Sequence, residues 1–286
     1  MTLPANFQFS QASLQDYVDC PRRFQLRYLL RRAWPALEVE PALESEHHLQ
    51  QGAAFHRLVH QHGLGIPAER LSSTASDADL CRWWHNYLTQ PPADLPPSRQ
   101  HEIVLSAPLS GDRDGVHYRL IAKYDLLAVD PGQRVVIVDW KTSRRRSGRP
   151  WLAGRLQTRL YPYLMVRAGS YLNEERPVQP EQVEMIYWFA NFPTDPERFA
   201  YDAAKYRADE GYLVSLVEKI AEDVDRLGEE DFPLTVEDRH CRFCPYRSLC
   251  QRGVTAGPLD EAEEEPEQGG DFDLGLDFEQ IAEIEY

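Results

Sequence analysis

Two stretches of the chain, Tyr124-Asp125-Leu126-Leu127 and Val138-Asp139-Trp140-Lys141-Thr142, decide the fold. Each carries one aspartate inside an apolar run, and the turn residues 130–132 between them indicate a hairpin of two antiparallel strands. An ionised carboxylate in apolar surroundings is costly unless it is paired or bound to a metal. Because side chains alternate along a strand, we expect Lys141 on the same sheet face as Asp139.

Asp125, Asp139 and Lys141 would converge on one spot if the two strands pair in this way. Two carboxylates suit Mg²⁺ or Mn²⁺, which polarise a phosphate, and a neighbouring lysine can orient or deprotonate the attacking water. The pattern Asp-x-Lys is also common as a plain ion pair on a solvated strand. On these three residues alone, the ion pair is the preferred interpretation.

A third motif follows on a helix predicted over 152–166. It reads Gln157-Thr158-Arg159-Leu160-Tyr161, and residues four apart on a helix lie one turn from each other on the same face. The polar ends of Gln157 and Tyr161 are therefore expected to act on one side of the helix.

A histidine motif lies upstream, on a helix predicted over 51–62. It reads Gly52-Ala53-Ala54-Phe55-His56. His56 by itself would be interpreted as a core or surface histidine, and His60, one turn later, competes with it for a ligand role. Glu102, on the strand before the hairpin, is a further candidate acid.

Four of the five cysteines form a candidate metal site. Cys241, Cys244 and Cys250 are clustered near the end of the chain, and Cys20 lies far upstream. Four soft thiolates suit a 4Fe–4S cluster. Structural zinc is the direct alternative, although zinc sites usually use two local cysteine pairs. Cys81 has no motif around it and is expected to be a small buried residue.

Together these motifs resemble those of the PD-(D/E)XK nuclease superfamily, in its RecB-type branch, over most of residues 10–250. The resemblance implies an α/β, restriction-endonuclease-like core in which helices flank a central mixed sheet. An N-terminal helical region and a four-cysteine cluster that joins the N- and C-terminal parts would complete it. One departure is Ala122, because the branch usually has glycine three residues before the first aspartate.

The resemblance also implies the function and the roles of individual residues. The chain would be a metal-dependent DNA nuclease, an exonuclease on single-stranded DNA ends that acts in recombination, repair or CRISPR adaptation. The alternative is a non-catalytic module that binds DNA ends or assembles a larger complex. The catalytic residues would be Asp125, Asp139, Lys141, Gln157 and Tyr161. The Mg²⁺ or Mn²⁺ ligands would be His56, Asp125, Asp139 and the backbone carbonyl of Trp140.

Some members of this branch, namely AddB-like helicase–nuclease subunits and CRISPR-associated exonucleases, carry a 4Fe–4S cluster. In these proteins the cluster pins the two ends of the chain together around the nuclease core. By the same resemblance, the cluster ligands here would be Cys20, Cys241, Cys244 and Cys250.

Charge is distributed unevenly along the 286 residues. The net charge is −15, but the 12 acidic residues from Asp260 onward leave only −3 for the rest of the chain. Local basic patches decide contact with nucleic acid more than the total does. A run of arginines after Lys141 is by default a solvated surface, but beside a phosphodiesterase centre it would bind backbone phosphates. The predicted DNA-binding arginines are Arg144, Arg145, Arg146, Arg155 and Arg159.

The remaining pattern predicts the organisation of the chain. Residues 1–254 would form one nuclease domain with a helical insertion at about 26–100, and residues 255–286 an acidic, mostly disordered tail that could dock on a protein partner. No apolar run is long enough to span a membrane and no signal peptide precedes the domain, which favours a cytoplasmic protein. Further helices are predicted over 14–30 (broken at Pro21), 80–88 and 210–227, and strands over 103–109, 116–129, 134–140, 183–189 and 199–203.

Overall fold

The central sheet is built on the predicted hairpin. β3 (Arg119–Asp130) and β4 (Arg134–Lys141) pair antiparallel, and Gly132 closes the turn with a φ of +75°, which glycine adopts at low cost. β2 (Ser98–Pro108) runs antiparallel along β3. The computed structural model describes residues 3, 7–32, 40–75, 77–109, 118–228, 230–242 and 244–253.

Three more strands make the sheet mixed. β5 (Val183–Phe189) pairs parallel with β4, and β6 (Phe192–Ala200) pairs antiparallel with β5 at the edge. β1 (Gln8–Phe9) pairs parallel with the start of β3. Because β2 occupies one edge of β3 along its whole length, β1 and β4 share the other edge.

Helices cover both faces of the sheet. The α7 layer consists of α1 (Gln11–Asp19), α7 (Leu156–Ala168) and α8 (Ala203–Leu227), and it packs on one face. The opposite face contacts the α3 layer, whose helices share a core with Trp140 and Trp188. The α3 layer consists of α3 (Glu40–Gly63), α4 (Ala68–Ser72) and α5 (Ala78–Thr89). The prediction of an α/β fold with a mixed central sheet flanked by helices is therefore confirmed. The described helices include none with the length and apolar character that a membrane crossing requires.

Several predicted boundaries were wrong. The helix predicted over 152–166 is two helices, α6 (Arg149–Gly154) and α7, because Arg155 between them has an extended backbone. The strand predicted over 199–203 corresponds to β6, which begins at Phe192. Two prolines obscure that strand in the sequence, but an edge strand tolerates them because one of its edges needs no partner.

Two segments that are distant in sequence meet at Gln25, which lies in a π-helical turn after α2 (Pro21–Phe24). Its fully buried amide donates to the carbonyl of Glu230 at 2.7 Å and accepts from the backbone N–H of Phe232 at 2.9 Å. One side chain thus satisfies two backbone groups that are more than 200 residues away in sequence.

Replacing Gln25 with methionine keeps the side-chain size and removes both of these hydrogen bonds, together with the one that Gln25 accepts from Arg22. We expect Gln25→Met to lower the free energy of unfolding by about 2–4 kcal/mol, because two backbone groups lose their partner. Urea unfolding monitored by circular dichroism measures the change. Gln90→Met, on the exposed end of α5, is the matched control; equal stability of both variants would contradict the bridging role of Gln25.

Candidate active site

The alternation of side chains in β2 and β3 changes phase at two facing acids, Glu102 and Asp125. Along β3, Tyr124 contacts the α7 layer and Leu126 contacts the α3 layer, although residues two apart in a regular strand share a face. Along β2, Ile103 packs against the α7 layer, whereas the ring of His101 lies against the end of α3.

Glu102 adopts a φ of +58°, and the ladder between β2 and β3 is interrupted at Glu102 and Asp125. A left-handed backbone costs a non-glycine residue roughly 1–2 kcal/mol. This strained backbone is part of an irregularity that β2 and β3 share at the same point. It moves the side chains of both acids out of the regular alternation between the two sheet faces.

β3 and β4 separate at the same place. Their ladder ends at the pair Leu126 and Val138, so Asp125 lies where the strands begin to diverge. Its Oδ2 accepts a hydrogen bond of 2.9 Å from the backbone N–H of Trp140. The Asp125 carboxylate therefore occupies the fork between the two strands.

A histidine from α3 meets this carboxylate. His56 Nδ1 lies 3.1 Å from Asp125 Oδ1, and ligand atoms of His56, Glu102 and Asp125 all lie within 4.8 Å of one another. Glu102 also forms an ion pair with Lys123. His60 instead stacks on the ring of His101, with 6.3 Å between centroids. His56 is thus the histidine that contacts Asp125.

Gly52 explains how α3 approaches the end of β4. A Cβ atom at this position would lie 2.9 Å from Oγ1 of the buried Thr142, closer than side-chain packing allows. Glycine therefore allows the helix to come close one turn before His56. The spacing Gly-x-x-x-His has this steric basis.

The ionisable groups in the fork strongly affect the pKa values of one another. Burial opposes protonation of His56, but Asp125, and more weakly Asp139 and Glu102, outweigh it and raise the His56 pKa to about 9. Burial likewise works against ionised Asp125, yet His56, the Trp140 N–H and Lys141 hold its pKa below the usual value. Asp125 is therefore a carboxylate at neutral pH, beside further acids, in an environment that favours a cation.

Asp139 and Lys141 form a second group, on the α7-layer face of β4. Lys141 Nζ lies 2.9 Å from Asp139 Oδ2 and donates to Gln157 Oε1 at 3.2 Å. Gln157 Nε2 donates to Asp139 Oδ1 at 2.5 Å. Each member of this triad contacts the other two, so the lysine ammonium is held in one orientation. The expectation that Lys141 and Asp139 share a face agrees with these contacts.

Tyr161 and Trp140 support the site through packing. The buried Tyr161 ring lies 4.9 Å from that of Tyr124, whose hydroxyl donates to the Tyr161 carbonyl at 2.8 Å. Because Tyr124 directly precedes Asp125, its contact with α7 holds β3 in place next to the site. The Trp140 ring lies in the α3 layer against Tyr87 and Trp188.

The predicted DNA-binding arginines divide into two groups. Arg146 pairs with Asp195 and Glu197, and Arg159 pairs with Asp209, so these two side chains tie elements together. Arg144 and Arg145 are exposed just after β4, and Arg155 stacks over the Trp151 ring. This second group is placed more favourably to contact a phosphate than Arg146 and Arg159 are.

The four predicted cluster cysteines are neighbours. Burial raises the pKa of Cys241 and Cys250 and that of Cys244 to about 11, and the nearby Cys20 contributes in all three cases. No three of these described sulfurs lie within 4.8 Å of one another. Cys81, expected to be buried, is exposed on α5.

Glu102 belongs to the site, although the sequence gives little indication of this. The sequence makes it only a further candidate, whereas in the structure it lies with His56 and Asp125. Its approach depends on a left-handed backbone that no local motif indicates. The sequence offers only a weak signal, an acid directly before the short apolar run Ile103-Val104-Leu105 of β2.

Comparisons with known proteins concern the family and the fold. No curated protein matches the chain significantly. Among solved structures, a protein named "Putative exonuclease" from Eubacterium rectale has 10% identity and a TM-score of 0.50, over 88% of this chain and 90% of that chain. The protein SSO0001 has 15% identity and a TM-score of 0.42, over 87% of each chain. The likeness to the Eubacterium rectale protein concerns the fold alone. Residues 8–251 match the family model of the PD-(D/E)XK nuclease superfamily, whose members are metal-dependent nucleases, and the chain belongs to that superfamily.

Proposed function

We propose that the chain is an exonuclease of the RecB-type branch that acts on single-stranded DNA ends with Mg²⁺ or Mn²⁺. The observation that carries the proposal is the meeting of two groups at the fork of β3 and β4. One group is His56, Glu102 and Asp125, and the other is Asp139, Lys141 and Gln157. Recombination, repair and CRISPR adaptation are the settings in which such an activity would be used.

The residues of the fork fit a divalent cation. Carboxylate oxygens and an imidazole nitrogen are suitable donors, and three of them already lie within 4.8 Å of one another. The proposed ligands are His56, Glu102, Asp125, Asp139 and the Trp140 carbonyl. A cation bound there would polarise the scissile phosphate.

Lys141 has the position of a catalytic residue in this proposal. Its ammonium group is fixed by Asp139 and Gln157, so it can orient the attacking water or donate a hydrogen bond to a phosphate oxygen. Gln157 is a positioning residue, because it contacts both partners. Tyr161 acts through Tyr124 and the strand that carries Asp125.

The phosphate backbone would follow the exposed arginines at the end of β4. Arg144 and Arg145 come three and four residues after Lys141, and Arg155 precedes α7.

The proposed domain spans residues 1–254, with its helical insertion at about 26–100. The acidic residues 255–286 lie outside the described residues, and their contact with a protein partner stays a prediction.

We further propose that Cys20, Cys241, Cys244 and Cys250 hold a 4Fe–4S cluster. Support comes from the convergence of four soft donors beside the cations Arg22 and Arg23. Structural zinc is the alternative at these four cysteines. The arrangement of one local trio and one distant cysteine favours the cluster, since zinc sites usually use two local cysteine pairs.

Removal of the Lys141 ammonium is the first test of the activity. We expect Lys141→Ala to slow cleavage by about 100-fold or more, as is typical when a positioned proton-transfer group is lost. End-labelled single- and double-stranded DNA incubated with Mg²⁺ or Mn²⁺ gives the rate and the polarity on one gel.

Lys219→Ala, on the exposed face of α8, should cleave like the wild type. An active Lys141→Ala variant would contradict the assigned role. A wild type that binds DNA without cutting it would favour the alternative, a DNA-end binding or assembly module.

Metal affinity distinguishes the candidate ligands. We expect His56→Ala and Glu102→Gln each to weaken Mn²⁺ binding about tenfold or more, because the first removes a nitrogen donor and the second a negative charge from the fork. His60→Ala should leave the affinity unchanged, since His60 stacks on His101. Electron paramagnetic resonance of free Mn²⁺ measures all three; equal effects of His56→Ala and His60→Ala would remove His56 from the ligand set.

The cysteine site is tested by colour and metal content. Protein purified without oxygen should be brown, with iron and sulfide in equal amounts, and Cys244→Ser should lose the colour. Cys81→Ser is the control, because Cys81 lies on α5 outside the cluster. Colourless, folded protein with stoichiometric zinc would establish the zinc alternative instead.

A further inference from the structure

A cavity of about 270 Å³ lies on the α3-layer face of the sheet beside the fork. Three of its lining residues are chain neighbours of the three acids: His101 precedes Glu102, Leu126 follows Asp125, and Trp140 follows Asp139. On each of three strands, therefore, a residue that lines the cavity is directly next to an acid of the proposed catalytic centre.

Rigid aromatic groups form much of the lining. The ring of Tyr87 meets that of Trp140 edge to face at 5.7 Å, and its hydroxyl lies 3.1 Å from His62 Nδ1. Leu126 and Trp140 are buried and form the floor, whereas Pro91 and Arg99 are exposed at the rim. Aromatic walls around an open pocket suit the flat face of a nucleobase, for which stacking is independent of sequence.

The charge at the rim is positive. Arg99 has no carboxylate partner among the described residues, and its field acts on Tyr87 and His101. The residues that line the cavity include histidines and this arginine but no acid. A guanidinium at the rim therefore offers a phosphate two parallel hydrogen bonds.

The size of the cavity limits the ligand. A volume of about 270 Å³ is at the lower end of small-ligand pockets, which span roughly 300–1,000 Å³. It suits one nucleotide and is too small for a base pair.

We propose that this cavity binds the terminal nucleotide of a DNA strand, with its base against the half-buried Tyr87 above the buried floor and its phosphate at Arg99. The inference rests on the proposed nuclease function and deepens it. A single unstacked base must enter the cavity, so the pocket would select a free single-stranded end over an internal position in a duplex.

The test uses the full chain and thymidine 5′-monophosphate as a probe for the terminal nucleotide. Calorimetry gives its Kd in the presence of Mg²⁺, with thymidine and inorganic phosphate as partial ligands. We expect the nucleotide to bind more tightly than either part and to inhibit cleavage of a single-stranded oligonucleotide competitively.

Arg99→Gln should raise both the Kd for the nucleotide and the KM for the oligonucleotide about tenfold, as loss of a charged hydrogen bond predicts, while kcat changes little. Leu95→Trp, which adds bulk to the wall, should prevent nucleotide binding. Arg207→Gln makes the same charge change on the exposed surface of α8 and should alter neither constant.

Two results would overturn the inference: inorganic phosphate binding as tightly as the nucleotide, or Arg99→Gln leaving both Kd and KM at wild-type values. With cleavage still present, the proposed function would survive that failure. Conversely, nucleotide binding that depends on Arg99 in a chain without cleavage would support the pocket and reject the nuclease activity.

Discussion

The constraint on which this structure depends is the enclosure of two carboxylates, the buried Asp139 and the largely buried Asp125, within a sheet that is covered on both faces. Asp125 and Asp139 cannot remain charged there without partners, because desolvation of an isolated carboxylate costs far more than a domain's stability provides. Asp125 is compensated by His56 and a backbone N–H, and Asp139 by Lys141 and Gln157. Both helical layers must therefore be in place before the charged centre can exist.

The helix that supplies Gln157 is itself held from another part of the chain. The backbone N–H of Leu156, in the first turn of α7, donates to the buried Gln15 of α1 at 3.1 Å, since Arg155 provides no side-chain cap. Gln15 also donates to Asp19, and Asp19 pairs with Arg23, whose charge acts on Cys244. The site of the four cysteines and the fork are thus connected by one series of polar contacts.

Local spacing predicted the contacts that arise within one strand or one helix. Asp139 and Lys141 share a face because a strand repeats every two residues, and Gly52 lies one turn before His56 because a helix repeats every 3.6. The place of Glu102 could not be predicted, since it depends on a matched irregularity in two strands. The pairing of Arg146 with Glu197 and of Arg159 with Asp209 also needed tertiary structure, as each pair lies about 50 residues apart.

The two groups of the fork come from opposite sides of the sheet. His56 reaches it from the α3 layer, and Gln157 from the α7 layer. A sheet that stayed paired would keep these sides apart, because a continuous hydrogen-bonded ladder leaves no opening. The β3–β4 ladder stops at the pair Leu126 and Val138, so the strands are separated at Asp125. This removes the barrier at the end of β4, where Arg144 and Arg145 are exposed. The irregular backbone at Asp125 is thus the feature that allows groups from both layers to act on one phosphate.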